Sequence, residues 1–490
     1  MATTDSKTDK RWTALILLAA AQFVVVLDAS IVNVALPSIG RDLEFSQENL
    51  AWVINAYTLV FGGFLLLGGR LADLLGRRRM FMSGLVLFGV ASLLGGLAQT
   101  EGQLIAFRAL QGLGAALISP AALSIVTTLF ADGAERNKAL GVWGAVAGAG
   151  GAAGVLLGGI LTDALGWEWV LFVNTPITLV AALLVPRLIA ESRSDSSSKT
   201  FDVAGAVSVT AGLSLLVYTL VDANNAGWAS TQTLGLLALT AALLAIFVVV
   251  ERRSTAPLVP FGIFRLRTLR GANVVGLLIG MSLFSMFFFL SLYMQQVLGY
   301  APLKTGFAYL PLALTIIVSA GVASQLVTRV GFKPVLVAGL LFIAVGLLWF
   351  SRVSVDGSYL GDVLFASLLA AVGLGFAFVP VTIAAVTGVS NQEAGLASGL
   401  INTSQQIGGA LGLAILSAVA TSVSGEVRLL PRSEQAAALT DGFQSAFLVG
   451  AGFAILGAIL AATLISGRDS RAHVSAVDSG DAEAAVPVAA

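Results

Sequence analysis

Cysteine is absent from the 490-residue chain, which excludes disulfides, thiolate metal sites and thiol catalysis. Histidine occurs once, at His473 in a polar C-terminal stretch, where an imidazole metal site or proton relay is not expected. Charge is scarce as well: 11% of residues are Asp, Glu, Lys or Arg, against roughly a quarter in an ordinary soluble domain. The formal net charge is zero, so no nucleic-acid partner is indicated. No segment gathers a His/Asp/Glu metal cluster or a nucleophile–base pair. The expectation is a protein that is not an enzyme and carries neither metal nor cofactor.

What the chain has in quantity is apolar side chain: 57% of residues are hydrophobic, and the mean hydropathy is +0.92. Many uninterrupted apolar runs reach about 20 residues, the length that crosses a bilayer as a helix. Polar breaks divide the sequence into fourteen candidate spans, near 13–35, 50–70, 80–98, 104–129, 138–163, 168–189, 203–222, 232–250, 271–297, 305–328, 334–351, 360–386, 394–422 and 443–466. Barrel strands would be about 9–11 residues long with in–out alternation, which these runs do not follow. The first span lacks a small-residue cleavage site and has Pro37 beyond its end, so it reads as a retained helix rather than a signal peptide. The predicted class is an all-α polytopic membrane protein.

Basic residues set the sidedness. With the N terminus inside, the 27 Lys and Arg fall on the inner face except Arg41, Lys304, Arg352, Arg428 and Arg432 outside and Arg108 within a span. Cytoplasmic loops carry this excess, so both termini are expected in the cytoplasm of a cell-membrane protein. Polar linkers then divide the chain into a short N-terminal segment (1–12), a six-helix bundle (13–190), a linker with two accessory helices (191–270), a second six-helix bundle (271–467) and a disordered tail (468–490).

The two bundles resemble each other. GRLADLLGRRRMFMSGLVLFG (Gly69–Gly89) aligns with SQLVTRVGFKPVLVAGLLFIA (Ser324–Ala344), matching Gly76 to Gly331, Arg78 to Lys333 and Gly84 to Gly339, although Asp73 meets Thr328. ERNKALGVWGAVAGAGGAAG (Glu135–Gly154) aligns with EAGLASGLINTSQQIGGALG (Glu393–Gly412) at nearly the same offset. Together they argue for a duplicated six-helix unit, the architecture of secondary transporters.

Several residues stand out against this background. Asp28 lies in VVVLDASIVNVALP, seven or more residues from either end of its span, where a carboxylate costs about 2.5–3.5 kcal/mol to insert. In RALQGLGAALISP, Arg108, Gly112, Ala115 and Ser119 share one helix face, so Arg108 is either a buried cation or a snorkelling one near the span's end. The loop Gly69–Arg79 is glycine-bounded and basic; beyond its value as a topology signal, Asp73 with Arg77 and Arg78 can lock two helices in one conformation, with Gly69 and Gly76 allowing the turn. Gly144, Gly148, Gly151 and Gly158 are expected along one stripe of the fifth span and, with Gly154, promise close helix packing. Asn33, Asn55, Tyr57, Gln111, Tyr293, Gln296, Asn402 and Gln405 are candidates to line a substrate cavity, or else plain interhelical hydrogen-bonding groups.

From Trp12 to Ser466 the chain resembles the fourteen-helix drug:proton antiporters of the major facilitator superfamily. LDASIVNVALP (Leu27–Pro37) looks like the family's first-helix motif, GRLADLLGRRR like its loop motif, RALQGLGAALISP like its fourth-helix motif and GWEWVLFVNTP (Gly166–Pro176) like the opening of its sixth helix. Two departures are Gly154–Val155, where the family usually has Gly-Pro, and Leu74, where a basic residue usually follows the aspartate. The resemblance implies two six-helix bundles plus two accessory helices, and export of amphipathic, often cationic or aromatic compounds against proton entry. It also implies proton coupling at Asp28, helped by Arg108. The expected partners are small-molecule substrates, protons and the lipid bilayer, with the protein a monomer. Dedicated export of one host metabolite or antibiotic is the alternative.

Overall fold

In a bilayer a backbone must satisfy its hydrogen bonds within each segment, so long apolar runs without alternation become helices. The computed structural model describes residues 2–45, 52–130, 134–192, 202–254, 257–390, 393–425 and 431–479, and among them there is no strand. The helices are α1 (Ala2–Asp42), α2 (Trp52–Leu75), α3 (Arg77–Gly96), α4 (Glu101–Leu129), α5 (Ala134–Leu165), α6 (Trp169–Leu188), α7 (Val203–Ala226) and α8 (Thr231–Arg253). They continue as α9 (Arg267–Val297), α10 (Leu303–Val330), α11 (Phe332–Phe350), α12 (Tyr359–Val386), α13 (Ala394–Ser424), α14 (Arg432–Leu464) and α15 (Gly467–Ser479). Twelve are long and apolar enough to cross a bilayer. A further span, α5, is bent by 41° between Ala134–Gly151 and Ala153–Leu165, and the apolar part of α7, Ala204–Leu220, is shorter. Each of the fourteen expected spans has its helix.

Helices α1–α6 and α9–α14 form two bundles with matching joints. Gly76 (φ 114°) and Gly331 (φ 86°) are the left-handed residues that start α3 and α11, a conformation only glycine adopts freely. A Cβ on Gly84 would stand 2.9 Å from Gly114 O of α4; one on Gly373 of α12 would stand 2.6 Å from Gly339 O of α11. Proline lies inside α4 at Pro120 and inside α12 at Pro380. Backbones of α1 and α5 meet where a Cβ on Gly154 would be 2.8 Å from Leu27 O, and those of α9 and α13 where one on Gly412 would be 2.5 Å from Met281 O. The accessory helix α7 packs on both bundles, against α2 and α13, and Tyr218 stacks on Trp52 of α2.

The structure departs from expectation at three places. Pro37 does not end α1, which runs on to Asp42; proline costs a helix one hydrogen bond, and Trp167 Nε1 anchors the continuation by donating to Asp42 Oδ2 at 3.0 Å. The tail expected to be disordered from residue 468 is helical as far as Ser479, because Ser470 and His473 are buried against the ends of other helices. Residues 480–490 lie outside the described residues. The glycines of α5 do not make one stripe, since the bend turns its two halves apart. A Cβ on Gly144 would stand 2.8 Å from Val379 of α12, while ones on Gly154 and Gly158 would meet α1, the latter 2.7 Å from Ile31 O. A Cβ on Gly151 would meet nothing within 4 Å, whereas one on the neighbouring Gly150 would stand 2.9 Å from Val26 of α1. The surroundings of Gly148 lie outside the described residues.

Candidate functional site

Four helices of the first bundle bring polar side chains to Asp28, whose side chain is fully buried. From α4, Arg108 Nη1 donates to Asp28 Oδ2 at 2.5 Å, and its side chain is 1% exposed, so it is interior and does not snorkel. The same guanidinium donates from Nε to Val53 O of α2 at 2.9 Å and from Nη1 to Gln111 Oε1 at 2.9 Å. It also lies over the Tyr57 ring, 4.5 Å from the centroid, a cation–π contact. Tyr57 in turn donates to Val25 O of α1 at 3.1 Å. Gln111 Nε2 donates to Asp28 Oδ1 at 3.2 Å and to Ser92 Oγ of α3. From α6, Asn174 Nδ2 donates to Asp28 Oδ1 at 2.7 Å and to Ser92 Oγ at 3.4 Å.

Local sequence explains the convergence. Small residues on α4 let it approach its neighbours: a Cβ on Gly112 would collide with the backbone of α2 at Tyr57, and one on Gly114 would be 2.8 Å from Phe88 N of α3. Arg108 and Gln111, three apart on α4, therefore reach the same carboxylate. A buried charge needs a partner and hydrogen bonds to persist. Asp28 has one cation and two amides.

A second buried pair sits at the face that carries the α2–α3 turn. Arg77 Nε and Nη2 donate to Asp73 Oδ1 at 3.2 and 3.0 Å. Asp73 also reaches the other bundle, accepting from Gly395 N at 3.2 Å and Leu396 N at 3.0 Å in the first turn of α13. That helix has no side-chain cap of its own from Glu393, so a carboxylate from the first bundle satisfies its open N–H groups and meets the positive end of its dipole. Gly69 makes this approach possible: a Cβ there would stand 2.6 Å from Gly395 O. Arg78 turns elsewhere, its N–H donating to Glu191 Oε1 at 3.1 Å and its Nη1 to Ile189 O at 3.3 Å, beside Gly76.

At the same face α15 joins both bundles. His473 Nε2 is 3.0 Å from Asn137 Oδ1 of α5, and Lys333 N of α11 donates to Ser470 Oγ at 3.1 Å. Thr268 Oγ1 of α9 donates to Asp469 Oδ2. Burial and the nearby Arg136 lower the His473 pKa to about 4, so the imidazole is neutral at pH 7.

Of the cavity candidates, Tyr57 and Gln111 join the Asp28 cluster. The rest do not. Asn33 is exposed and donates to Ala29 O of its own helix, and Asn402 likewise donates to Ser398 O. Tyr293 is buried and donates to Ser354 O, Asn55 and Gln405 are half-buried, and Gln296 is exposed. Ser92 and Asn174 were missed as members of the site. Asn174 stands inside GWEWVLFVNTP, so its motif was legible; Ser92, one of two serines in an apolar span, gave no signal. Among the described residues no group of three or more His, Cys, Asp or Glu could hold a metal ion.

Comparison with known proteins agrees with this architecture. The Major Facilitator Superfamily family description matches residues 18–413. The puromycin resistance protein pur8 of Streptomyces alboniger is 42% identical over 94% of this chain and 93% of its own. The cephamycin export protein CmcT of Amycolatopsis lactamdurans is 41% identical over 96% and 97%, and the multidrug transporter protein MdtP of Bacillus subtilis 32% over 90% and 81%. Among solved structures, the human organic anion transporter MFSD10 superposes with a TM-score of 0.66 at 15% identity over 92% of this chain and 99% of its own, a likeness of fold. By sequence and by helix arrangement the chain is a multi-pass membrane transporter and belongs to the major facilitator superfamily.

Proposed function

We propose that the protein exports amphipathic drugs or antibiotics in exchange for protons, by alternating access, from a cell membrane with both termini in the cytoplasm. The observation that carries this reading is the buried Asp28–Arg108 pair, held by amides in a span where an ion pair has no packing advantage over apolar side chains. Intramembrane charges of this kind mark substrate and ion pathways. The relatives named for antibiotic resistance, antibiotic export and multidrug transport support the direction and the substrate class.

In this scheme the bundles spanning 13–190 and 271–467 rock against each other, with α7 and α8 beside both. Asp28 takes a proton from the exterior, the assembly switches, and substrate binding from the cytoplasm is linked to proton release. One charge moving through the membrane potential supplies about 2.3 kcal/mol per 100 mV, enough for more than tenfold accumulation. The tie from Asp73 to α13 holds the cytoplasmic face closed, and breaking it admits substrate.

A narrower reading, dedicated export of one antibiotic, draws on the relatives at 42% and 41% identity, which are named for puromycin and cephamycin. Purified protein in liposomes, loaded with a pH dye and challenged with puromycin, ethidium and unrelated dyes, tests both. Substrate-driven proton movement with several compounds supports broad export, and a response to one alone supports the narrow form. Asp28→Asn is expected to abolish the proton signal; full coupling in that variant would overturn the assignment.

A further inference from the structure

The two amides on Asp28 are not equivalent. Gln111 is committed at both ends, its Oε1 accepting from Arg108 at 2.9 Å while its Nε2 donates to Asp28 and Ser92. Asn174 spends only its nitrogen; its Oδ1 is buried and accepts no hydrogen bond. Ser92 Oγ already accepts from both amides.

A carboxylate only accepts, whereas a carboxylic acid must also donate one O–H. The groups facing Asp28 are donors: Arg108 from α4, the Gln111 nitrogen from α4 and the Asn174 nitrogen from α6. Arg108 from α4 and Tyr57 from α2 are the charged and titratable groups around it; α3 and α6 bring the uncharged Ser92 and Asn174.

We propose that Asn174 is the positioning residue that serves both protonation states of Asp28, by turning its side-chain amide over. The proposal rests on the reading of Asp28 as the proton carrier. The second side-chain torsion of asparagine is broad and two-fold, so a half turn exchanges Nδ2 for Oδ1 without moving the helix. A hydronium ion gives up one proton: its O–H bond breaks, an O–H bond forms at Asp28 Oδ1, and water leaves. Asn174 Oδ1 accepts the new O–H. Arg108 stays charged and keeps Oδ2, and Gln111 Nε2 retains Ser92 as its acceptor. Gln111 is barred from the same turn because Arg108 holds its oxygen.

Infrared difference spectroscopy of the full chain in liposomes, recorded between neutral and acidic pH with isotope-labelled asparagine, tests this without any transported compound. The expected wild-type spectrum contains a carboxylic-acid C=O band together with a shifted asparagine amide band. Asp28→Asn should lose both. Asn174→Leu should lose the amide shift and move the acid band toward that of an acid with no acceptor. An acid band that survives in Asp28→Asn unchanged overturns the proton-carrier reading. An acid band lost in Asp28→Asn but unmoved in Asn174→Leu leaves that reading standing and overturns the role of Asn174. Should Asn174→Leu not fold, an asparagine amide band that stays fixed while the acid band appears in wild type overturns it equally.

Discussion

The two bundles share a scaffold and differ in what it holds. Glycine joints recur at Gly76 and Gly331, at Gly84 and Gly339, and at Gly154 and Gly412. At the last of these, the residue after the contacted backbone is Asp28 in the first bundle and Ser282 in the second. Asp28 meets the Asn174 amide of α6, whereas Ser282 Oγ is shared between Leu278 O of its own helix at 3.1 Å and Gly450 O of α14 at 3.2 Å. The second bundle also holds an aromatic cluster, with Phe289, Phe350 and Phe447 packed ring to ring. Both buried ion pairs recorded among the described residues lie within the first bundle. The scaffold thus recurs in both bundles, while among the described residues the buried ion pairs occur in one of them only.

That contrast can be broken deliberately, and the largest effect should come from the pair itself. Arg108→Ala leaves Asp28 buried without its cation and is expected to lower stability by about 3–5 kcal/mol, as measured by unfolding in detergent. Ser282→Ala, at the matching place, should cost no more than about 1.5 kcal/mol. An equal loss at both positions would mean that the bundles are not specialised. Next in size, Asp73→Leu removes the charged acceptor of Gly395 and Leu396 and should favour separation of α2 from α13 by about 1.5–3 kcal/mol, read as a shift in spin-label distances across that face. Thr328→Ala, the counterpart in the second bundle, should leave the corresponding distances where they are.

Glycine offers a finer comparison within α5. Gly154→Ala drives a methyl into the α1 backbone and should destabilise by about 1–3 kcal/mol. Gly151→Ala meets open space and should be neutral or stabilising by up to about 1 kcal/mol, since alanine is the better helix former. The smallest effect expected is on α15. His473 is held neutral, with its pKa lowered from 6.5 to about 4, so burial contributes its full stability above pH 6.5. That contribution declines as pH falls toward 4, and the protection of the amides across 467–479, taken relative to their intrinsic exchange at each pH, should fall over this window. His473→Gln, which keeps a donor for Asn137 but cannot titrate, should remove the dependence.

Much of this molecule was legible in its sequence because lipid leaves a chain few choices. Runs of about 20 apolar residues gave the spans, and a charge inside one had to have a reason. Asp28 and Arg108 announced themselves by their cost. Ser92 did not, because a serine in a span can bond its own helix, as Ser208 does to Ala204 O. Asn33 and Asn402 behave in the same way, each donating to a carbonyl one turn away. The tail failed differently: its polar composition argued for disorder, but Ser470 and His473 found buried partners on α11 and α5 that no local pattern foretells.

One consequence of the Asp73 contact concerns how the two bundles are free to diverge. The first contributes a side chain, and the second contributes only main-chain N–H groups at Gly395 and Leu396. Every non-proline residue carries such a group, so the hydrogen bond itself asks for no particular side chain at position 396, although Leu396 is fully buried. Position 395 is narrower, because a methyl there would stand 2.6 Å from the Asp73 carboxylate. Change that breaks the hydrogen bonds of this contact is therefore expected to collect on one side of the seam, at Asp73, Arg77 and Gly69, and on the other side at position 395.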